Sequence, residues 1–199
     1  TSMEGMFRNC TNLKSVDMSS WNMSGAASMN GMFEGCENLA SVNMREAKLE
    51  NVVSINWMFR SCSNLKNVNM SGIDLGSASS ANELFARCSN LEDIDMSGAD
   101  FGSLTYGLWF TDCCNLINVN MNGVNLKSLT SAWAMFENCK NLVCVDMGDV
   151  NLESATSIDD MFNGCSNLTS VDMGGCNMSC VSIASAVFRD CLQLDHIVS

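Results

Sequence analysis

Eight times in 199 residues the chain writes a phenylalanine, a cysteine three residues later and a leucine three residues after that. The phenylalanines stand at Phe7, Phe33, Phe59, Phe85, Phe110, Phe136, Phe162 and Phe188, spaced by 26 residues except for one step of 25 between Phe85 and Phe110. The cysteines are Cys10, Cys36, Cys62, Cys88, Cys113, Cys139, Cys165 and Cys191. The leucines are Leu13, Leu39, Leu65, Leu91, Leu116, Leu142, Leu168 and Leu194. A fixed period of this length limits the fold to a stack of like units, each too small to cover its own apolar face and therefore covered by its neighbours.

Two periodicities alternate within a unit. Ile55, Met58, Phe59 and Cys62 sit at i, i+3, i+4 and i+7, the stripe of a short helix. After "SNL" the pattern changes to Val68 and Met70 with Asn67, Asn69 and Ser71 between them, the alternation of a half-buried strand. The expected fold is an α/β solenoid: a right-handed stack of about eight units, each giving one short strand of a parallel sheet and one short helical segment. The shorter step is placed between Leu104 and Tyr106 and read as a shortened turn. With no proline and no Gly/Ser linker, residues 1–199 read as a single domain. The chain opens inside one repeat and closes inside another, so a piece of a longer array, or an array without capping units, is expected.

Charge narrows the partners. The formal net charge is −12, from 22 acidic and 10 basic residues without a Lys/Arg cluster, so nucleic acid and anionic membrane are excluded as expected partners. No apolar run approaches the length of a membrane span, and direct membrane insertion is not expected. One histidine, His196, and the absence of G-x-S-x-G and phosphate-loop motifs give no catalytic constellation, so the chain is read as a non-enzyme without a cofactor.

The asparagines before the leucines, Asn12, Asn38, Asn64, Asn90, Asn115, Asn141 and Asn167, read as a structural ladder of stacked amides at a turn. Cysteines in register lie about 4.8 Å apart with parallel Cβ vectors, whereas a disulfide needs Cβ atoms turned toward each other, so the main column reads as buried thiols. Cys114, Cys144, Cys176 and Cys180 form no CxxC pair, and no metal is expected. The methionines occupy positions that a leucine would serve equally and read as core.

The outward face of the strands is the expected partner-binding surface, since solenoids present an extended face to their ligands. Its candidate residues are Asp17, Asn43, Arg45, Asn69, Asp93, Asp95, Asn120, Asp146 and Asp172: small, polar and net negative. Trp57 and Trp133, on the helical side, are the alternative, because aromatic residues there replace small or polar ones and aromatics anchor interfaces.

The unit M-F-x-G-C-x-N-L-x-x-V-D-M-S, followed by "SWNMSGAASMNGMF", resembles the 26-residue repeat of bacterial surface proteins, the BspA-like branch of the leucine-rich-repeat proteins. The likeness covers the whole chain, with Met or Val where strand leucines stand in the family. The chain is also similar to the cysteine-containing leucine-rich repeats of eukaryotic ubiquitin-ligase adaptors, although the MF pair favours the bacterial type. The resemblance implies a leucine-rich-repeat-like solenoid and a non-enzymatic interaction module: a cell-surface or extracellular adhesin or binding region with a protein or glycan ligand. The alternative is a structural or scaffolding subunit of a large intracellular or organellar complex, which unpaired thiols would suit.

Overall fold

The computed structural model describes residues 1–45 and 47–198. Among these, eight strands pair in chain order into one parallel sheet: β1 (Ser15–Asp17), β2 (Ser41–Asn43), β3 (Asn67–Asn69), β4 (Asp93–Asp95), β5 (Asn118–Asn120), β6 (Cys144–Asp146), β7 (Ser170–Asp172) and β8 (His196–Val198). Each strand places a Val or Ile in its middle. In β2 to β7 that residue is buried while the flanking residues point outward. Register joins equivalent positions, so Val42 pairs with Val68 and Val68 with Ile94. The 25-residue step is absorbed before the next strand, where Ile94 pairs with Val119.

Two further columns of single parallel bridges run beside the sheet. One passes through Asp74, Asp100, Asn125, Asn151 and Asn177, and the other through Ser2, Ser28, Ser54 and Ser80 and then from Tyr106 to Ser131 and Ser157. The chain is thus a parallel β-solenoid whose turns are tied to one another on several sides. The repeated phenylalanines fill its interior as a ladder of rings with centroids 5.1–5.5 Å apart and planes within 7° of parallel. At that separation parallel rings are offset, which avoids face-to-face repulsion of their quadrupoles. Phe33, Phe59, Phe85, Phe110, Phe136 and Phe162 are fully buried, with the leucine and methionine columns packed around them.

The expected helical segment is absent: the described residues contain no helix, and the α part of the fold class is corrected accordingly. The cause is local. Trp57 and Ser61, at φ 58° and 60°, are both left-handed, as are Gly31 and Gly35 in the preceding unit and Glu83 and Arg87 in the following one. Two left-handed residues four apart cannot belong to one right-handed helix. The hydrogen bonds follow suit. Met58 and Arg60 donate back three residues, to Ile55 and Trp57, whereas the N–H groups of Trp57, Phe59 and Ser61 reach carbonyls of the next turn, on Asn82, Leu84 and Ala86. The segment is an arc of alternating tight turns and inter-turn bonds. It nevertheless buries Ile55, Met58, Phe59 and Cys62 completely, so its apolar spacing matches that of a helix stripe.

The missing residue also lies elsewhere than expected. Glu83 donates to Leu108 as Trp57 does to Asn82, but Phe85 donates to Trp109, one residue short of the step made by Phe59 to Leu84. The residue lost is therefore the first left-handed one of the fifth arc, between Leu108 and Trp109 and not between Leu104 and Tyr106. Asp112 supplies the only left-handed non-glycine conformation left in that arc. Trp109 takes over the methionine column there, fully buried against Phe101 with ring centroids 4.9 Å apart.

A ring removed from the middle of the ladder leaves a cavity walled by two others. Phe85→Ala is expected to lower unfolding free energy by about 3–5 kcal/mol, and Phe7→Ala, at a half-buried end, by less. Urea denaturation followed by tryptophan fluorescence measures both.

Candidate functional site

The outward strand residues form two rows in register. The first-position row is Ser15, Ser41, Asn67, Asp93, Asn118, Cys144, Ser170 and His196, and the third-position row is Asp17, Asn43, Asn69, Asp95, Asn120, Asp146 and Asp172, closed by Val198. Over β1 to β4 the two rows border an open trough of about 440 Å³. Asp93, Asp95, Asp146 and Asp172 make the stretch from β4 to β7 acidic, and no Lys or Arg stands on these strands.

The third-position row has a second task that sequence reasoning missed. Each of its seven Asp and Asn side chains accepts a hydrogen bond from the N–H two residues on, closing the turn that leaves the strand. Ser19 donates to Asp17 at 3.0 Å, Arg45 to Asn43 at 3.2 Å, Ser71 to Asn69 at 3.0 Å and Ser97 to Asp95 at 3.0 Å. Asn122 donates to Asn120 at 3.1 Å, Gly148 to Asp146 at 2.9 Å and Gly174 to Asp172 at 2.9 Å. This is the local turn chemistry of Asx residues, and the sequence signal was an Asp or Asn at the last position of every strand but the eighth. Hydrogen bonding by the Ser19 hydroxyl and then by its backbone N–H holds the Asp17 carboxyl below the usual value. Among the first-position residues, Asn118 Nδ2 donates to Asp93 at 2.8 Å and Cys144 Sγ to Asn118 at 3.1 Å. Arg45 follows β2 in the turn, outside the strand rows.

The asparagine column lies in the turns that lead into the strands. Asn64, Asn90, Asn115 and Asn141 each donate Nδ2 to the Oδ1 of the preceding member at 3.1–3.2 Å, and Asn167 does so at 3.4 Å. Asn38 donates instead to the Thr11 carbonyl, so Asn12 is bypassed. Most of these amides are exposed. Trp57 and Trp133 lie on the arcs, 37% and 41% exposed, away from the strand rows.

The cysteine column is interior. Cys36, Cys62, Cys88, Cys113, Cys139 and Cys165 are fully buried, and all twelve cysteines are free thiols. Each column member donates its S–H to the phenylalanine carbonyl of the preceding unit, as Cys62 does to Phe33 at 3.0 Å and Cys139 to Phe110 at 3.1 Å. Burial pushes the thiols of Cys62 and Cys165 up to about 12, and those of Cys88, Cys113 and Cys139 well above the usual value. On the arcs, burial and then the carboxylates of Asp160 and Asp112 raise the Glu137 carboxyl. Among the described residues no group of three or more His, Cys, Asp or Glu could hold a metal ion, and no helix is long and apolar enough to cross a membrane.

Two outcomes follow. Asn69→Ala removes a turn acceptor and is expected to cost about 0.5–1.5 kcal/mol, whereas Asn67→Ala, two residues earlier on β3, costs close to nothing; thermal unfolding compares them. The raised thiols bind protons that the unfolded chain has already released above pH 9.0. Their contribution to stability is whole below that pH and is lost as the pH rises toward about 12. Denaturation midpoints across that range measure the loss. At neutral pH, iodoacetamide labels Cys10 and Cys180 and spares the six buried thiols.

Residues 1–105 match the model of a family described as Mycoplasma protein of unknown function, DUF285, and residues 107–199 match six copies of the BspA type leucine rich repeat region. No curated protein sequence matches the chain. Among solved structures, the leucine-rich-repeat protein TpLRR of T. pallidum is 20% identical over 92% of this chain and 72% of that one, with a TM-score of 0.55, which shows a shared fold. A leucine rich cell surface protein from Faecalibacterium prausnitzii is 18% identical over 98% of this chain and 62% of that one, with a TM-score of 0.36.

Proposed function

The chain belongs to the DUF285 family, with BspA-type leucine-rich repeats in its second half, and from that premise we propose that it is a non-enzymatic interaction module that binds a protein partner on its strand face. The observation that carries this reading is the pair of polar rows in register across the sheet, bordering an open trough. Short side chains let a partner's backbone approach several strands at once, and in-register rows repeat the same contact at each step. Neither family match points to an enzyme.

The turn chemistry divides the work between the rows. The third-position residues Asp17, Asn69, Asp95, Asn120, Asp146 and Asp172 use one side-chain oxygen on their turns and leave the other oxygen or the amide nitrogen for a partner, while Asn43 spends its amide nitrogen on Asp17 at 3.2 Å. The first-position residues have fewer structural duties, and Asp93 gives its row a negative charge. The acidic stretch from β4 to β7 suits a partner with cationic side chains. The BspA-type repeats support a cell-surface or extracellular adhesin as the setting. Twelve unpaired thiols favour the second reading, a scaffolding subunit in a reducing intracellular compartment.

The test is quantitative affinity capture with the wild-type chain and an Asp93→Lys/Asn118→Lys variant, from plasma and from a cytoplasmic lysate. A protein held by the wild type and lost by the variant identifies the partner, and the source it comes from separates the two settings. Equal capture by the two chains rejects the strand face. The substitutions avoid the turn acceptors, so the variant is expected to keep the wild-type melting temperature within about 3 °C.

A further inference from the structure

A second surface lies on the arcs, where four consecutive turns place Trp57, then Glu83, Ala86 and Arg87, then Leu108, Thr111 and Asp112, then Trp133. The middle six residues line a cleft of about 170 Å³. It sits where the fifth arc lacks its left-handed residue, between Leu108 and Trp109, so it is a feature of this one place in the stack. Register places one tryptophan a turn beyond it on each side. Trp57 precedes Glu83 by one turn in the left-handed column, and Thr111 Oγ1 donates at 3.1 Å to the carbonyl of Ala134, the neighbour of Trp133.

The solenoid does not require an aromatic at either position. The equivalents of Trp57 are Gly5, Gly31, Glu83, Ala134, Asp160 and Ala186, and those of Trp133 include Glu4, Asn30, Asn56 and Asp159. Trp57 adopts φ 58°, a conformation open to glycine and costly for a bulky side chain, and it leaves 37% of its surface in water. Between the two rings the cleft offers mixed hydrogen-bonding groups. Arg87 makes no ion pair among the described residues, while Glu83 accepts from Arg60 at 3.2 Å and Asp112 from Asn138 at 3.2 Å with oxygen left over. Leu108 is the one large aliphatic side chain in the lining.

We propose that this stretch binds a short neutral oligosaccharide, with Trp57 and Trp133 as platforms at its two ends and Glu83, Arg87, Thr111 and Asp112 bonding the hydroxyls of the rings between. Sugar C–H groups carry partial positive charge and pack on the negative face of an indole. Hydroxyls both donate and accept, so paired carboxylates and a guanidinium satisfy them together. The tryptophans lie three turns apart, about 14 Å along the stack. The cleft is smaller than the roughly 300–1,000 Å³ usual for drug-sized ligands, a size for one sugar ring with its neighbours extending over the tryptophans. The net charge of −12 selects against anionic glycans. This site is separate from the strand face and stands without the reading given to it.

Titration with chitotetraose, cellotetraose and maltotetraose, followed by calorimetry and tryptophan emission, tests it. At least one sugar binds in the millimolar range or tighter, and Trp57→Gly, Trp133→Asn and Arg87→Ala each weaken it by about tenfold or more. Trp57→Gly and Trp133→Asn restore residues that equivalent positions already carry, so both variants fold, and Asn67→Ala on the strand face leaves the affinity unchanged. Silence with all three sugars overturns the proposal, as does binding retained within about twofold by the double tryptophan variant. Loss of a captured protein in that variant, with no sugar bound by the wild type, makes the tryptophans a protein contact and equally overturns it.

Discussion

The structure depends on hydrogen bonds that join each turn of the chain to the next. On the arcs the N–H groups of Gly5, Phe7 and Asn9 reach the carbonyls of Asn30, Met32 and Glu34, and the same alternation recurs in later turns. Once these bonds fix the rise between turns, every side-chain column must repeat at that rise. The phenylalanines then stack at one ring separation, and each cysteine meets the preceding phenylalanine carbonyl. An apolar interior alone would not impose this order, because hydrophobic attraction has no direction. The backbone bonds supply the direction, and the buried columns reward a unit that keeps it.

The same constraint explains the division between interior and surface. A column favours side chains that stack on copies of themselves, which in the interior are chiefly Phe, Leu, Met, Val or Ile and a neutral thiol. Outside, a column of asparagines can bond to itself, and a column of Asp or Asn can close one turn per strand. The surface is therefore part of the framework, and the candidate partner face is built from residues whose first task is local. Where the framework is shortened, Asn82 Oδ1 on the fourth arc and Trp109 Nε1 on the fifth are buried without a hydrogen-bond partner among the described residues. Asn30 and Asn56 accept from Ser54 and Ser80 of the following turns, but Tyr106 stands where the next serine would be.

How far the sequence could be read follows from the kind of information each element carries. The strands were legible because Val42, Val68 and their equivalents alternate with polar residues, and alternation depends only on the pleat. The arcs were misread as helices because burial of Ile55, Met58, Phe59 and Cys62 has the same spacing in either conformation. What distinguishes the two is the left-handed backbone at Trp57 and Ser61, and neither residue type announces it. The turn-closing role of Asn69 and Asp95 is not legible in the sequence because an outward Asp or Asn at a strand end reads equally as a surface group, whether or not it bonds its own backbone.

The sequence alone determined the number and order of the units, which residues face inward, and the parallel pairing of equivalent strands. All of these follow from a repeat that cannot bury its apolar face except against its own copy. Tertiary structure decided the path between the strands, the site of the missing residue, and the cleft that Glu83, Arg87, Leu108 and Asp112 line beside it. Those depend on which N–H reaches which carbonyl in the adjacent turn. That choice is settled only when two turns lie side by side, since the same residues can satisfy a helix or a ladder with equal burial.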